Sequence, residues 1–564
     1  MNISKNKSKF GSIAVKAVLI YLIVVFILYP NINLLISVFY KNGQFSTSAF
    51  QKIVKSQRAL KSIRNSFFLA FSMILTVNIV GILVVLLTDY WEIKGAKFLK
   101  LAYMSTLIYG GVVLVTGYKF VYGSDGVLTR FLVSIFPSMN EDWFNGYWAV
   151  IFIMTFACTS NHIMFLSNAI KSLDGHVIEA AKNMSAKGST IFFKVVLPSL
   201  KPTIFAITVL TFITGLSAMS APLIVGGTDF QTINPMIITF AKNSYSRELA
   251  ALLAVILGCS TVVLLIIINK VESGGNYMSV SKTKIKLEKQ KINNPVMKIV
   301  AHVVAYLLAA IYLVPMFFVI VFSFCDSVSI KSGNITLSSF TLDNYIRFLT
   351  QSSSFKPYAV SIVYSVLAAI IVAIVAVVVA RLVVKSKSKW NIFFEYSVIT
   401  PWLLPSTFIA LGLMMTYDKP RLILGNKVLI GTLVIMLIAY VVVKLPFTYR
   451  MIKAAFYGVD DDLEDAAKSM GASSFRTMVK VILPVIMPAV LSVMVLNFNA
   501  LLSDYDLSVF LYNPLFQPLG IVIKASSDEV ASINAQAMSF VYAVVLMVIS
   551  SFALYFTQRE KKQK

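Results

Sequence analysis

The sequence contains little charge and few residues that bind metals or form disulfides. Only 13% of its 564 residues are Asp, Glu, Lys or Arg, whereas 58% are hydrophobic. A soluble globular protein has about 25% charged residues. The three cysteines and three histidines are scattered and show no metal-ligand spacing. These shortages argue against a soluble enzyme, a disulfide-rich secreted domain and a resident metal centre, so we interpret Cys158, Cys259 and Cys325 as packing residues.

The chain also lacks the sequence motifs of nucleotide binding and hydrolytic catalysis. No stretch matches the G-x-x-x-x-G-K-[ST] loop that cradles nucleotide phosphates, and no nucleophile elbow is present. We therefore predict no catalytic residue. Energy for an active process would come from another subunit or from an ion gradient.

Long apolar runs dominate what remains. A membrane-spanning helix needs about 20 apolar residues, and twelve runs meet or approach that length, which predicts an all-α integral membrane protein of about 12 transmembrane helices. The first run is longer than a signal-peptide core and lacks a cleavage site, so we expect it to be retained. The runs lie near Ala17–Tyr40, Asn65–Leu87, Leu99–Val121, Tyr147–Ile170, Pro202–Ile224, Leu249–Ile268, Met297–Phe324, Tyr358–Val384, Ile392–Met415, Val428–Val443, Pro488–Leu511 and Ala535–Tyr555.

The net charge of +25 reports orientation rather than nucleic-acid binding, because the basic residues lie in short connections between spans. Basic residues accumulate in cytoplasmic loops, and an even number of spans places both termini on one side. Four clusters predict cytoplasmic termini: Lys5, Lys7 and Lys9; Lys94, Lys97 and Lys100; Arg381, Lys385, Lys387 and Lys389; and Arg559, Lys561, Lys562 and Lys564. One connection does not fit, because Lys52, Lys55, Arg58, Lys61 and Arg64 fall on the predicted outer side.

The chain divides into two similar halves. A stretch rich in lysine, glycine and serine separates six spans from six more and is typical of a linker. We predict a first half at 1–269, a cytoplasmic linker at 270–297 and a second half at 298–564. An even number of spans gives both halves the same orientation, as in a parallel repeat.

One segment is retained in both halves at an offset of 286 residues. "EAAKNMSAKGSTIFFKVVLP" begins at Glu179 and "DAAKSMGASSFRTMVKVILP" begins at Asp465. Nine of these twenty paired positions are identical, whereas chance would give about one or two. Each copy lies between the fourth and fifth spans of its half, so both are expected on the cytoplasmic side.

Each copy is predicted to form a helix, a turn and a second helix. Ala, Lys, Met and Glu favour helix, and Asp460, Asp461 and Asp462 supply capping and dipole complementarity. Gly471 stands where a left-handed residue would end the first helix of the second copy. Small alanines would let another protein approach the backbone closely. A helix lying on the lipid surface is the alternative, and the matched duplication argues against it.

These residues resemble the EAA loop of permease subunits of binding-protein-dependent ABC importers, a pattern of Glu-Ala-Ala, three residues, Gly and a later Leu-Pro. The resemblance implies two parallel six-helix repeats with the type I ABC importer permease fold, and EAA loops at 177–198 and 463–484. It implies that each loop is a coupling helix seated on a cytoplasmic ATPase. The resemblance assigns this coupling role to Glu179, Ala180, Ala181, Ser185, Gly188, Pro198, Asp465, Ala466, Ala467, Gly471 and Pro484.

Two positions depart from the family pattern. Ser185 stands where the glycine belongs in the first copy, with Gly188 three residues later, and Asp465 replaces the glutamate in the second. We therefore expect the first loop to turn differently and to couple less typically.

The resemblance also implies partners and location. It predicts two cytoplasmic ABC ATPase subunits, an extracytoplasmic solute-binding protein and the inner or plasma membrane of a prokaryote. No cofactor is expected on this chain, since ATP and Mg would bind the ATPase.

The fused architecture resembles the group that imports ferric iron, with relatives for phosphonates, sugar phosphates, thiamine and polyamines. Polar groups within spans tend to face cavities. Candidates for the translocation path are Asn161, His162, Glu395, Asn497, Asn499, Asp504 and Asp506. The two aspartates lie about 24–27 Å along a helix from Pro488, at 1.5 Å per residue, which predicts a position near the outer mouth. Their charge favours a cation, and ferric iron is the predicted cargo.

Helix breakers occur inside two of the runs. Gly110 and Gly111, and likewise Pro401 and Pro405, are predicted to interrupt spans that line a cavity. The alternative class of protein is a twelve-span secondary transporter, which also has parallel halves but has no reason to retain a paired loop.

Overall fold

The computed structural model is almost entirely helical and describes residues 2–41, 43–273, 288–332, 335–385, 389–528 and 531–562. Half of the predicted linker, at 274–287, lies outside the described residues, as do Lys387 and Lys564. One short antiparallel hairpin pairs Tyr40–Lys41 with Gln44–Phe45.

The first half contains fifteen described α-helices. They are Asn2–Ile23, Tyr29–Phe39, Ser48–Lys55, Gln57–Val85, Ala96–Tyr103, Val112–Tyr122, Val127–Ile135, Gly146–Cys158, Ser160–Lys171, Gly175–Asn183, Gly188–Ile191, Leu197–Leu216, Ser220–Val225, Ile233–Ala241 and Arg247–Ser273.

The second half contains thirteen described α-helices. They are Pro295–Ser323, Ser327–Ser332, Asp343–Thr350, Ser352–Lys385, Lys389–Ile399, Ser406–Tyr417, Leu433–Tyr457, Asp461–Ser469, Ser474–Thr477, Leu483–Leu502, Ser508–Leu511, Leu519–Ser526 and Ile533–Lys562. Single π-helical turns are Val24–Leu28, Leu86–Tyr90, Phe192–Val196 and Met478–Ile482, and 3₁₀ turns are Ser105–Leu107, Glu141–Trp143, Leu337–Ser339, Thr400–Leu403 and Leu422–Leu424.

Ten continuous helical segments are long and apolar enough to cross a membrane, and two bent pairs bring the count to twelve in the described part of the chain. This confirms the predicted all-α membrane class and the order of the spans. Spans 1 to 6 are Ile13–Phe39, Gln57–Tyr90, the pair Ala96–Leu107 with Val112–Ile135, Gly146–Lys171, Gly188–Leu216 and Arg247–Ile267. Spans 7 to 12 are Pro295–Ser323, Ser352–Lys385, the pair Trp390–Leu403 with Ser406–Tyr417, Leu433–Tyr457, Ser474–Leu502 and Ile533–Ala553.

Span 3 is broken, with a bend of 110° between its two parts. The break falls at Gly110 and Gly111, and Gly111 has a φ of +63° and a ψ of −136°, a backbone region that costs a residue with a side chain about 1–3 kcal/mol. The predicted interruption is confirmed.

Despite its break, span 3 follows span 7 across the membrane in the same direction. Lys94 donates its backbone N–H to His302 Nε2 (3.2 Å) near the start of both segments. Further along, Tyr109 donates its hydroxyl to the carbonyl of Tyr312 (3.1 Å), and Arg130 reaches the carbonyl of Lys331 (2.9 Å) beyond the far end. Spans 3 and 7 therefore begin on one side of the membrane.

Span 9 is broken in the same way, with a bend of 107° at Pro401 and Pro405, which confirms the second predicted interruption. It packs against span 1: the Tyr417 hydroxyl donates to the carbonyl of Val25, and Asn33 Nδ2 donates to Thr416 Oγ1 (2.9 Å). The first span of each half thus packs on the broken third span of the other half, and we call this arrangement the crossed first spans.

The buried apolar clusters also combine the first span of one half with later spans of the other half. One apolar cluster joins spans 2 to 5 with span 7, for example through Tyr312, while a second joins span 1 with spans 8 to 11. Because successive spans alternate in direction, spans 4 and 10 both end on the side where spans 3 and 7 begin. The two repeated segments follow those ends, so they share one side, here called the loop side; the other is the far side.

Candidate coupling loops and translocation path

The two repeated segments have the same backbone, element by element. The first has helices Gly175–Asn183 and Gly188–Ile191 and a π turn that leads into span 5; the second has helices Asp461–Ser469 and Ser474–Thr477 and a π turn that leads into span 11. Every boundary is displaced by the same 286 residues. A short sequence repeat has therefore retained a complete structural unit.

An aspartate caps each first helix. The side chain of Asp174 accepts from the backbone N–H of His176 (3.0 Å), and that of Asp460 accepts from the N–H of Asp462 (3.1 Å). These bonds satisfy donors that a helix leaves free at its start. The predicted capping by Asp460 is confirmed.

The turns after these helices are also the same, which corrects the expectation that the first loop turns differently. Ser185 has a φ of +61° and Gly471 a φ of +78°. Ala186 bonds to the carbonyl of Ala181 (3.1 Å), and Ala472 bonds to that of Ala467 (3.0 Å). This is the Schellman pattern, which closes a helix with a left-handed residue. Ser185 adopts that conformation because the rest of the loop requires it, at a cost of about 1 kcal/mol.

The loops expose apolar side chains at matched positions. Met184 and Met470 are 83% and 82% exposed, and Val177 and Leu463 are also exposed. Glu179, Ala180, Asp465 and Ala466 lie on the exposed surface, whereas Ala181 is half-buried and Ala467 is buried. Exposed apolar residues recurring at equivalent positions are a feature of protein interaction surfaces. Ser185, Gly188 and Gly471 are exposed, and Pro198 and Pro484 each stand at the second position of the helix that follows the π turn.

The loops differ in how they are attached to the membrane helices. In the first helix Ile178 is buried in the apolar core. Its counterpart Glu464 instead forms a salt bridge of 2.8 Å with Arg381 and another with Lys385, both at the end of span 8. Burial alone would raise the pKa of Glu464, but hydrogen bonds from Lys385 and Arg381, and their charges, lower it to about 2. Sequence reasoning missed Glu464, because its partners lie about 80 residues away in the chain.

Several predicted path residues make contacts between helices, and their role in the path stays a prediction. His162 is fully buried, and its Nε2 pairs with Asn78 Oδ1 of span 2 (3.1 Å). Asn497 donates to Thr448 Oγ1 of span 10 (2.7 Å), and Glu395 is paired with Lys453. Such contacts are the usual role of polar residues between membrane helices. Asn161 and Asn499 are partly buried, and Asn499 Oδ1 has no partner in the described structure.

Asp504 and Asp506 do not continue the helix of span 11, on which their predicted position near the outer mouth is based, so that position stays a prediction. The helix of span 11 ends at Leu502, and the chain turns back. Asp504 accepts from Ser508 Oγ (2.9 Å), and that hydroxyl also pairs with Tyr440 in span 10 (2.9 Å). Tyr440 is seven residues inside that span, or about 10 Å at 1.5 Å per residue.

A lysine completes this charged group. Lys444 lies one helical turn beyond Tyr440, within electrostatic range of both aspartates but with no salt bridge to either among the described residues. Non-helical backbone at membrane depth occurs where it is buried in protein or lines a water-filled cavity. Lys444, Asp504 and Asp506 form the group here called the charged triad.

Paired loops on one side of a twelve-span bundle, with a charged triad inside it, define a membrane transport permease. The family model for the inner membrane component of binding-protein-dependent transport systems matches residues 12–273 and 365–562, and the chain belongs to this family. It is thus an ABC importer permease with the type I fold and is not an enzyme. The family assignment also sets aside the secondary transporter that twelve spans alone left open.

Two of the relatives that we describe extend over most of the chain, and a third extends over part of it. The "Probable ABC transporter permease protein y4fN" of Sinorhizobium fredii is 35% identical over 544 residues, covering 96% of this chain and 95% of the relative. The "Ferric transport system permease protein FbpB" of Actinobacillus pleuropneumoniae is 25% identical over 506 residues, covering 87% and 70%. The "Probable sulfate transport system permease protein cysT" of Prototheca wickerhamii is 27% identical over 201 residues, covering 34% and 77%.

Proposed function

We propose that this chain imports ferric iron across the inner membrane of a prokaryote, with both termini in the cytoplasm. The observation that carries the coupling part of the proposal is the identical backbone of the two loops on one membrane side. Two equivalent loops fit two copies of one partner, so each loop seats on one of two cytoplasmic ATPase subunits. ATP and Mg bind those subunits, and an extracytoplasmic binding protein delivers the cargo.

The proposed contact surface consists of matched residues. Glu179 and Asp465 lie beside the exposed alanines, and the exposed Met184 and Met470 lie at the turns. Apolar side chains of this kind adapt to a cleft in a partner, while the acids pair at its rim. Because both loops lie on the same side and each would contact one ATPase subunit, closing of the ATPase dimer would move both of them.

Two observations support a ferric cargo. A relative is named a ferric transport permease, and Asp504 and Asp506 place two carboxylates beside one lysine within the bundle. Hard cations prefer oxygen ligands. Oxyanion import is the second candidate, supported by a basic cavity on the far side and by a relative named for sulfate transport.

The decisive experiment is co-purification of the chain with the proteins encoded beside it, followed by measurement of ATP hydrolysis. We expect an attached ATPase that is stimulated by one binding protein loaded with ferric iron. If a binding protein loaded with an oxyanion stimulated the ATPase instead, the proposed cargo would be wrong and the coupling proposal would stand. A chain that retains no ATPase would contradict the coupling proposal.

A further inference from the structure

A basic cavity opens on the far side of the first half, in the connection whose charge did not fit the predicted orientation. Its volume is about 660 Å³. The start of span 2 forms one wall, and the loop Gly227–Gln231 with the helix Ile233–Ala241 forms the other. This size lies within the range of small-molecule sites, about 300–1,000 Å³.

Hydrogen bonds hold the two walls together. Asn65 Nδ2 donates to the carbonyl of Gln231 (3.1 Å), and the backbone N–H of Ile233 donates to Ser66 Oγ (2.8 Å). The loop itself turns at Gly227, whose φ is +58°, and a side chain there would meet Asn145 at 2.9 Å. The cavity is therefore a formed feature and not a gap between loose loops.

Three cationic side chains line the cavity. Arg58, Lys61 and Arg64 recur every three residues and so share one face of the span 2 helix. Among the described residues, Asp229 is the one acid within 4.0 Å of the three, at 3.8 Å from Lys61, and its side chain is 94% exposed. Such an exposed pair contributes little, so the cavity has a net positive charge.

Two other basic residues on the same side are neutralised. Lys52 forms a salt bridge of 2.7 Å with Glu248, and Arg247 forms one of 3.1 Å with Asp418. Arg58 and Arg64 have no such partner in the part of the chain that the structure describes. Basic residues are depleted from short outer loops, so an unneutralised group there calls for a ligand.

We infer that this cavity binds a tetrahedral oxyanion, such as a phosphate, phosphonate or sulfate group, and this inference rests on the proposed permease function. Arginine presents a planar fork that bonds two oxygens of such a group at once. A concave basic surface also concentrates anions. A bare ferric ion would be repelled, so ferric cargo would reach this mouth only with its charge covered by an anion.

The test is equilibrium binding of radiolabelled methylphosphonate and sulfate to the full chain in nanodiscs of phosphatidylcholine. We expect saturable binding that weakens with salt and falls at least tenfold in the double variant Arg58→Gln, Arg64→Gln. Lys55→Gln, which removes one charge from the same connection outside the cavity, should change it less than twofold. Asp229→Asn should tighten it. Equal losses in the double variant and in Lys55→Gln would overturn the site, as would absence of saturable binding both in nanodiscs and in lipid-depleted detergent.

Two further arms identify the source of the oxyanion and separate this inference from the coupling proposal. Binding that appears only in lipid-depleted detergent would assign the cavity to a lipid headgroup, whereas binding in both preparations would assign it to a free anion; either source agrees with the inference. Loss of binding-protein docking in the double variant, with no anion binding to the wild type, would make the cavity a docking surface and overturn it. An attached, active ATPase in those preparations would show that the permease function stands regardless.

Discussion

Ile178 and Glu464 occupy the same position in the two loop helices, yet one is buried among apolar side chains and the other is bound by Arg381 and Lys385. The first loop is thus attached by the hydrophobic effect and the second by charge. Salt screens charged contacts and leaves apolar burial intact. The second loop should therefore respond to ionic conditions that leave the first unchanged.

We predict that Glu464→Gln loosens the second loop by roughly 2 kcal/mol, a typical value for hydrogen bonds to charged groups. The pKa of Glu464 is lowered to about 2 in the folded protein, so its stabilisation is complete above the ordinary pKa of about 4.3 and disappears as pH falls towards 2. Hydrogen exchange in the loop, compared between variant and wild type at pH 7 and pH 3, should show a difference that shrinks at the lower pH. Ile178→Ala, the matched control, should show no such trend. A pH-independent effect of Glu464→Gln would contradict the charge-based attachment.

Ser185→Gly should stabilise the first loop by up to about 1 kcal/mol, because glycine adopts the left-handed conformation without steric cost. Gly471→Ser, the reciprocal change, should destabilise the second loop by a similar amount. Thermal unfolding in detergent together with loop hydrogen exchange would measure both. If both substitutions stabilised their loops, or both destabilised them, the left-handed conformation of the turn would not determine loop stability.

Glu179→Lys and Asp465→Lys are expected to reduce ATPase stimulation to a similar extent, because the two loops have the same backbone. A smaller effect of the first substitution was the natural expectation from the Ser185 departure, and the shared turn removes its basis. Each variant should insert normally into the membrane, which surface labelling checks. Full coupling in a well-expressed Asp465→Lys variant would exclude the proposed contact surface.

Asp504→Ala should destabilise the segment that follows span 11 and reduce transport. It would leave the backbone N–H groups of Leu507 and Ser508, which now bond to the carboxylate at 3.3 and 3.2 Å, without their partner. An unpaired buried donor costs about 1–3 kcal/mol. Asp504→Asn keeps an acceptor and removes the charge, so it should retain the fold while changing transport. Equal thermal stability of the two variants would argue against the capping role.

Gly111→Ala should strain the break in span 3, because a side chain is disfavoured at a φ of +63° and a ψ of −136°, although an added Cβ would meet no atom within 4 Å. We expect about 1–3 kcal/mol of lost stability, measured by thermal unfolding. Gly110→Ala is the matched control, because its φ is not in the left-handed region. Equal stability of the two variants would indicate that backbone conformation does not determine the break.

The sequence predicted those features that depend on local pattern. Apolar runs, the repeat at 286 residues and the breakers Gly111 and Pro401 correctly indicated the spans, the paired loops and the two bends. What it missed depends on contacts between distant parts of the chain. Glu464 meets Arg381 only because span 8 ends beside the loop, and Ser508 links Asp504 to Tyr440 because the chain turns back after span 11. The coupling role of loop residues such as Asp465 stays a prediction, because it depends on contacts with another protein.

The crossed first spans tie each half to the other. Span 1 packs partly on span 9 of the second half, and span 7 packs partly on span 3 of the first. Two separate subunits could also pair with copies of themselves, which would give a permease with two apolar attachments or two charged ones. Joining the halves in a single polypeptide makes their pairing independent of concentration. Every assembled transporter then contains one loop attached by apolar burial and one attached by charge.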